Sequence, residues 1–170
     1  MVTQSLAATK RLRKELQVLQ KTTETDDHIV LEPQKENLLL WTAWIRGPEG
    51  TPYEGGVFEL DIRCGMDYPL APPTIKFVTK IFHPNVHFRH GDICLDILKK
   101  EWSPAWGLQA ACRAVLALLS DADATSPLNC DAGNMLRDDA DLVAFETTAR
   151  FYTVENAFFT QWPPTRVSEE

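Results

Sequence analysis

The chain has 170 residues, enough for one domain whose core buries about 70% of the surface that the unfolded chain exposes. Hydrophobic residues make up 44% of the composition, which excludes a mostly disordered chain. The 17 basic and 24 acidic residues give a formal charge of −7, which argues against a basic nucleic-acid-binding protein. The sequence shows neither an apolar run of about 18 residues nor a signal-peptide segment. We therefore expect a cytosolic protein.

An amphipathic helix is predicted over residues 6–21, because Leu12, Leu16 and Leu19 recur at helical spacing. Four strand-like segments follow, at residues 29–31, 38–46, 57–63 and 74–78. The stretch 47–56 between the second and third segments is dense in turn-forming residues. These strands should therefore pair in antiparallel fashion.

The second half of the chain is predicted to be mainly helical. Residues 79–107 show no clean period, and a helical pattern returns over residues 108–119. Two further helices are predicted to begin near Asp131 and Asp139. We predict an α+β domain over residues 1–160, followed by a short tail over residues 161–170. Its parts are an N-terminal helix, a four-stranded antiparallel meander, an irregular loop and C-terminal helices.

The four cysteines lack the spacing of a zinc site or of a thioredoxin-like redox pair. A disulfide framework is not expected in a cytosolic chain of this size. We expect Cys64, Cys112 and Cys130 to be buried, inert thiols, although Cys130 falls in a loop where its environment is ambiguous. No metal and no cofactor are predicted. Cys94 is the exception, because of its neighbours.

Cys94 lies within twelve residues of His83 and Asn85, in the segment without regular period. Ordered stretches of this length and kind are usually functional. Cysteine hydrolases use a histidine base that comes from a distant part of the sequence. Here Asp92 and Asp96 flank the cysteine, and nearby carboxylates favour the neutral thiol. This pattern suits a thiol that accepts an acyl group from another thioester and passes it on.

An acyl carrier of this kind needs a donor for the oxyanion that forms when an amine attacks the thioester. The neutral amide of Asn85 is a candidate for that role, and a turn residue after proline is the alternative. We interpret His83 as a structural histidine that hydrogen-bonds the loop.

A series of motifs in this order resembles the ubiquitin-conjugating enzymes over nearly the whole chain, to about Tyr152. The motifs are Gly47-Pro48, residues 51–58, Tyr68-Pro69-Leu70-Ala71-Pro72-Pro73, His83-Pro84-Asn85, residues 93–98 and Trp102-Ser103-Pro104-Ala105. The resemblance implies the ubiquitin-conjugating fold and a thioester between Cys94 and the C-terminal glycine of ubiquitin. It also implies that an ATP-dependent activating enzyme supplies the ubiquitin and that a ligase usually assists its transfer to a target. His83, Asp96 and Ser126 would support this active site.

The same resemblance implies two docking surfaces. The helix that carries Lys10, Arg11 and Lys14 is similar to the family's surface for the activating enzyme. The positions that match the family's ligase-docking loops are Leu70, Pro104 and Ala105.

Within the family, the resemblance is strongest to the peroxisomal, peroxin-type members. It rests on residues 83–88, 96–99, 102–106 and 126–131, and on a stretch from Asn85 to Cys94 that is one residue longer than usual. It implies peripheral attachment to the cytosolic face of the peroxisome, or of a glycosome, through a membrane-anchored peroxin. It further implies a RING-type ligase of the peroxisomal membrane and, as substrate, the cycling import receptor.

Two positions depart from the family's usual pattern. Arg113 stands where many members have an apolar residue that packs on bound ubiquitin, and Ser126 stands where many have an acidic residue. A serine cannot assist deprotonation of a lysine by its charge. Near pH 7.4 an ordinary lysine is about 0.1% deprotonated, whereas an ordinary cysteine is about 7% thiolate. Ser126 therefore suggests a bias toward thiol acceptors, and a turn residue before Pro127 is the alternative.

Three other functions are compatible with parts of this pattern. The chain would conjugate a different ubiquitin-like modifier if its activating enzyme selected one. A non-catalytic ubiquitin-binding module would have the same fold without the chemistry, and a free cysteine hydrolase would use the thiol differently. The presence of Cys94 favours a conjugating enzyme over the binding module.

Overall fold

The computed structural model describes residues 2–21, with side chains from residue 6, and residues 26–35, 37–93, 98–100, 102–159 and 162. Helices and strands follow in the order α1 (Val2–Lys21), β1 (Ile29–Gln34), β2 (Asn37–Arg46), β3 (Val57–Arg63), β4 (Thr74–Phe77), α2 (Leu108–Ser120), α3 (Cys130–Arg137) and α4 (Leu142–Asn156). A 3-10 turn, Asp139–Asp141, precedes α4. This confirms the predicted α+β architecture. None of these helices is both long and apolar enough to cross a membrane.

The four strands form one sheet in the order β1-β2-β3-β4, and every neighbouring pair is antiparallel. Side chains on one face are buried, and the strand register aligns them across the sheet. The aligned buried pairs include Trp41 with Ile62, Ala43 with Leu60, Ile45 with Phe58, and Ile62 with Ile75. The antiparallel meander predicted from the alternating pattern is therefore confirmed.

Some boundaries differ from those predicted. Helix α1 begins at Val2 rather than at residue 6, and β1 continues to Gln34 rather than ending at Leu31. The sequence pattern missed the end of β1 because Pro33 looks like a strand breaker. In the structure Pro33 pairs with Trp41 on an edge strand, where a missing N–H does not interrupt the sheet.

The cysteines outside the active-site segment differ in exposure. Cys64 and Cys112 are buried, as predicted, and burial raises the pKa of each thiol to about 12. The expectation of a buried thiol was wrong for Cys130, which is exposed. Cys130 is the first residue of α3, and the buried side of that helix is formed by Ala132 and Gly133.

The carboxylate of Glu15 on α1 connects the helix to two other parts of the chain. Its Oε1 atom accepts hydrogen bonds from Tyr68 Oη at 2.7 Å and from Arg11 Nε at 2.8 Å. Its Oε2 atom accepts the backbone N–H of Leu108, the first residue of α2, at 2.8 Å. Gly107 precedes that helix and has no side chain to cap it, so Glu15 supplies the cap from another helix.

We expect Glu15→Ala to lower the free energy of unfolding by about 2–4 kcal/mol, because it removes three hydrogen bonds and leaves buried donors without their acceptor. Glu15→Gln should cost less, since the amide keeps one acceptor oxygen. Urea unfolding at neutral pH measures both variants. Glu49→Ala, in an exposed turn, is the control and should change stability by less than about 0.5 kcal/mol. Equal losses for Glu15→Ala and Glu49→Ala would contradict this account.

Candidate active site

Residues 86–93 form a short β-hairpin immediately before Cys94 in the sequence. Val86 and Ile93 pair as an isolated antiparallel bridge, and Gly91 N–H donates to the carbonyl of His87 at 2.9 Å. The sequence pattern predicted no regular structure here, because the hairpin is too short to show alternation. Its turn is closed by backbone hydrogen bonds.

This hairpin is fixed to strand β4. Phe77 N–H donates to the carbonyl of Gly91 at 2.9 Å, and Lys76 Nζ lies 2.7 Å from Asp92 Oδ1. Gly91 has a φ of +71°, and a Cβ there would come within 1.9 Å of the Phe77 carbonyl oxygen. Only glycine fits this close approach. The chain that leads into Cys94 is therefore held by backbone contacts and one ion pair.

Cys94 and Asp96 lie outside the described residues, so their predicted roles stay predictions. Asp92, the other carboxylate beside Cys94 in the sequence, is engaged by Lys76. The hydrogen bond and charge of Lys76 lower the pKa of Asp92, and the pair is close to neutral as a unit. The argument that two carboxylates favour a neutral thiol therefore rests mainly on Asp96.

His83 is wholly buried and connects the loop to helix α2. Its Nδ1 atom accepts the backbone N–H of Asn85 at 3.0 Å, so in the neutral ring Nε2 carries the proton and donates to the carbonyl of Leu118 at 2.9 Å. Burial lowers the pKa of His83 to about 4, although the bond to Leu118 opposes the shift. Both ring nitrogens are occupied, which leaves neither free to act as a base.

The side chain of Asn85 makes a two-bond bridge to the backbone of Asp123. Asn85 Nδ2 donates to the Asp123 carbonyl at 2.6 Å, and Asn85 Oδ1 accepts the Asp123 N–H at 2.9 Å. This bridge fixes the plane of the amide. An amide nitrogen carries two hydrogens, so one remains for a further acceptor.

A third segment joins the same site through the carbonyl oxygen of Pro84. It accepts the backbone N–H groups of Leu128 at 2.8 Å and of Asn129 at 3.0 Å. The side chain of Asn129 also caps helix α3 by accepting the N–H of Ala132. Ser126 is exposed two residues before this contact. Its proposed effect on the choice of acceptor stays a prediction.

The predicted docking residues of α1 fall into two groups. Lys10 and Lys14 are exposed, as a docking surface requires. The guanidinium of Arg11 instead donates to the carbonyls of Pro104 at 2.8 Å and Trp106 at 2.6 Å. Arg11 therefore connects the predicted activating-enzyme surface to the predicted ligase loop.

The two predicted ligase loops lie beside each other. Trp102 Nε1 donates to the carbonyl of Pro69 at 2.9 Å, and this bond joins the loop of Leu70 to the loop of Pro104 and Ala105. Leu70 is 77% exposed, and Pro104 and Ala105 are also exposed. The structure thus brings together residues that are more than thirty positions apart.

Sequence analysis did not identify Glu15 or Trp102 as supports of these loops. The spacing of Arg11 and Glu15 is i, i+4, a common arrangement of helical ion pairs, and was the available signal for that pair. No sequence pattern indicated that Arg11 would reach Pro104, or that Glu15 would reach Leu108, each 93 residues further along the chain.

Arg113 makes an ion pair on the outer side of α2. Its Nη2 atom lies 3.2 Å from Asp26 Oδ2, which also accepts Gln109 Nε2 at 3.3 Å. Burial raises the pKa of Asp26, but hydrogen bonds from His28 and Arg113 outweigh it and lower the pKa overall.

One residue of the predicted tail contacts the domain. The indole N–H of Trp162 donates to the Asp26 carbonyl at 3.2 Å. The place where the domain ends and the tail begins stays a prediction.

The described residues include no cluster of three or more His, Cys, Asp or Glu side chains arranged for a metal ion. The chemistry assigned to this site requires no such group, because thioester exchange uses only a thiol and hydrogen-bond donors.

The buried His83 should make stability depend on pH. Its pKa is about 4 when folded and about 6.5 when unfolded, so its stabilising contribution is complete above pH 6.5 and is lost as the pH falls toward 4. We expect the wild type to lose about 2 kcal/mol more than His83→Gln between pH 7 and pH 5 in urea unfolding. His28→Gln, which changes an exposed histidine, should keep the wild-type dependence. The same slope in wild type and His83→Gln would refute the assignment.

Comparison with known proteins agrees with this geometry. A family model described as "Ubiquitin-conjugating enzyme" matches residues 11–153. The chain is 56% identical over 144 residues to "Ubiquitin-conjugating enzyme E2 pex4" of Dictyostelium discoideum, covering 84% of this chain and 95% of that protein. It is 52% identical over 147 residues to "Protein PEROXIN-4" of Arabidopsis thaliana, covering 86% and 93% respectively.

A solved structure shows the same fold. H. polymorpha Pex4p, crystallised in complex with the soluble domain of Pex22p, superimposes with a TM-score of 0.81 at 38% sequence identity. The match covers 89% of this chain and 99% of that one. The family model covers the second half of α1, the sheet, the hairpin and the C-terminal helices as far as Thr153. The chain therefore belongs to the ubiquitin-conjugating enzyme family.

Proposed function

We propose that this enzyme carries ubiquitin as a thioester on Cys94 and transfers it to the peroxisomal import receptor, which supports receptor recycling and matrix protein import. The proposal rests mainly on the hydrogen bonds that connect residues 83–85 to residues 121–129. The hairpin that precedes Cys94 follows residues 83–85 directly in the chain. The peroxisomal part is supported by the relatives named Peroxin-4 and pex4, which match most of the chain.

The proposed chemistry has two acyl transfers. The thiolate of Cys94 attacks the thioester of the activating enzyme, a new thioester forms on Cys94, and the cysteine of that enzyme leaves as a thiolate. An amine or thiol of the acceptor then attacks the carbonyl on Cys94, an oxyanion forms, and the Cys94 thiolate leaves while the acceptor gives up its proton. The free N–H of Asn85 is the candidate donor to that oxyanion, and the bridge to Asp123 would keep it oriented.

Thioester formation is tested by mixing the enzyme with activating enzyme, ATP and ubiquitin and running gels with and without a thiol. We expect an adduct that the thiol removes and that Cys94→Ala does not form. Cys130→Ala is the matched control, because it removes the exposed thiol of the C-terminal part and should still charge. No adduct under conditions that charge another conjugating enzyme would refute the proposal. An adduct with only a different ubiquitin-like modifier would support the alternative.

Asn85→Ala should leave charging largely intact and slow discharge to an amine about a hundredfold or more, because losing one oxyanion donor costs roughly 2.7–4 kcal/mol. Single-turnover discharge to free lysine measures this. Asp123→Ala is the control, since Asn85 binds only the backbone of that residue. If charging and discharge fell equally in Asn85→Ala, the bridge would be structural and the oxyanion role would be wrong.

Attachment to the peroxisome requires a partner that binds the membrane. The H. polymorpha relative was crystallised with the soluble domain of Pex22p. Helix α4 has three exposed apolar side chains on one face, within an arc of about 80°, at Val143, Phe151 and Val154. We assign this α4 face to the membrane-anchored peroxin tether. A RING-type ligase at the same membrane would then contact the separate surface of Leu70, Pro104 and Ala105.

Phe151→Asp should shift the enzyme from the peroxisomal membrane fraction to the cytosolic fraction, because it places a charge in the apolar tether surface. Val78→Asp is the matched control, since Val78 is similarly exposed but lies immediately after β4, away from helix α4 in the sequence. Both variants should form the thioester. Membrane association that persists in Phe151→Asp, or in cells that lack the tether, would contradict this assignment.

A further inference from the structure

The segment that leads into Cys94 is cationic, although the chain as a whole is acidic. Residues 74–93 contain three cationic side chains and one carboxylate, whereas the rest of the chain contains 14 and 23. The single carboxylate, Asp92, is already paired with Lys76. The charges of Lys80 and Arg89 therefore remain unbalanced within this segment.

The tip of the hairpin presents further donors. The rings of His87 and His90 stack with 4.6 Å between their centroids. His87 Nδ1 accepts the backbone N–H groups of Arg89 at 3.3 Å and of His90 at 3.2 Å. In the neutral ring the proton of His87 is therefore on Nε2, where it is available to an acceptor outside the hairpin. Arg89 and His90 are exposed.

Lys80 is held against the same hairpin by aromatic contacts. Its Nζ atom lies 4.3 Å from the centroid of the Phe88 ring and 5.5 Å from that of Tyr152. In the described part of the chain, no carboxylate lies within 4.0 Å of the Lys80 ammonium or the Arg89 guanidinium. Both charges are thus free to attract an anion from outside.

The distance to the reactive thiol is short. His90 precedes Cys94 by four residues, which span at most about 14 Å even when fully extended. A peptide bound at the hairpin would therefore place a residue a few positions away within reach of the thioester. Binding there would raise the effective concentration of the acceptor at the site.

We infer that Lys80, His87, Arg89 and His90 form an acceptor-binding surface that selects proteins with an acidic segment near the residue to be modified. The inference rests on the proposed function, because it concerns the acceptor of the same thioester. Carboxylates suit this surface because guanidinium and ammonium groups form charge-assisted hydrogen bonds with them. A nucleic acid is a poorer fit, since a polyanion that extends beyond these few cations meets a chain of charge −7.

The test uses the enzyme that carries ubiquitin as a thioester, together with three peptides that contain the same acceptor residue. Three Glu, three Gln or three Arg residues stand four to six positions from the acceptor, and single-turnover discharge gives kcat/KM for each peptide. We expect the Glu peptide to exceed the Gln peptide about fivefold near 50 mM salt and to lose most of that advantage near 500 mM. Arg89→Glu and Lys80→Glu should each reduce the ratio about threefold or more, and should favour the Arg peptide.

Lys35→Glu is the matched control, because Lys35 is an exposed lysine in the turn between β1 and β2. It should keep the wild-type ratio of Glu to Gln peptide. Equal kcat/KM for all three peptides in the wild type, or the same change in Lys35→Glu as in Arg89→Glu, would overturn the inference. Preferential binding to phosphatidylserine vesicles with no peptide preference would also overturn it, in favour of a membrane surface. A failure to charge at all would refute the proposed function instead.

Discussion

The carboxylate of Glu15 makes hydrogen bonds that help to position both predicted docking surfaces. It caps α2 because Gly107 has no side chain to do so, and it binds Tyr68 in the segment that leads to the Leu70 loop. It also pairs with Arg11, whose guanidinium donates to two carbonyls of the other predicted ligase loop. One half-buried carboxylate therefore contacts α1, the start of α2 and the segment before the Leu70 loop, and through Arg11 it supports the second loop. The predicted activating-enzyme surface and the predicted ligase surface are therefore connected through a single side chain.

The active-site loops are held differently, by neutral hydrogen bonds between side chains and backbone. His83 connects its loop to α2 through Leu118, Asn85 connects it to Asp123, and the carbonyl of Pro84 receives the segment after Ser126. These contacts involve no formal charge at neutral pH, so salt should weaken them little. The predicted docking surfaces and the predicted active-site loops are thus stabilised by different kinds of interaction, and helix α2 contacts both.

The sequence was sufficient to predict the sheet and the order of helices and strands. These follow from the alternation of apolar residues and from the positions of turn-forming residues. It was not sufficient where a contact joins distant parts of the chain. The hairpin of residues 86–93 is fixed by Gly91 against Phe77, and Arg11 is turned away from solvent by carbonyls 93 and 95 residues later. Cys130 was misjudged for a similar reason, since its exposure depends on which side of α3 packs inward.

The ion pair of Lys76 and Asp92 links the structural and chemical roles of the hairpin. An unpaired Asp92 would repel the proposed acidic acceptor and would also disfavour the thiolate that leaves Cys94 in the proposed chemistry. Lys76 neutralises that charge at 2.7 Å and at the same time fixes the hairpin to β4. In the proposed acceptor-binding surface, the positive charges of Lys80 and Arg89 would then meet no competing charge from Asp92. The same pair of residues therefore fixes the hairpin to β4 and removes the negative charge of Asp92 from the surroundings of the proposed acceptor.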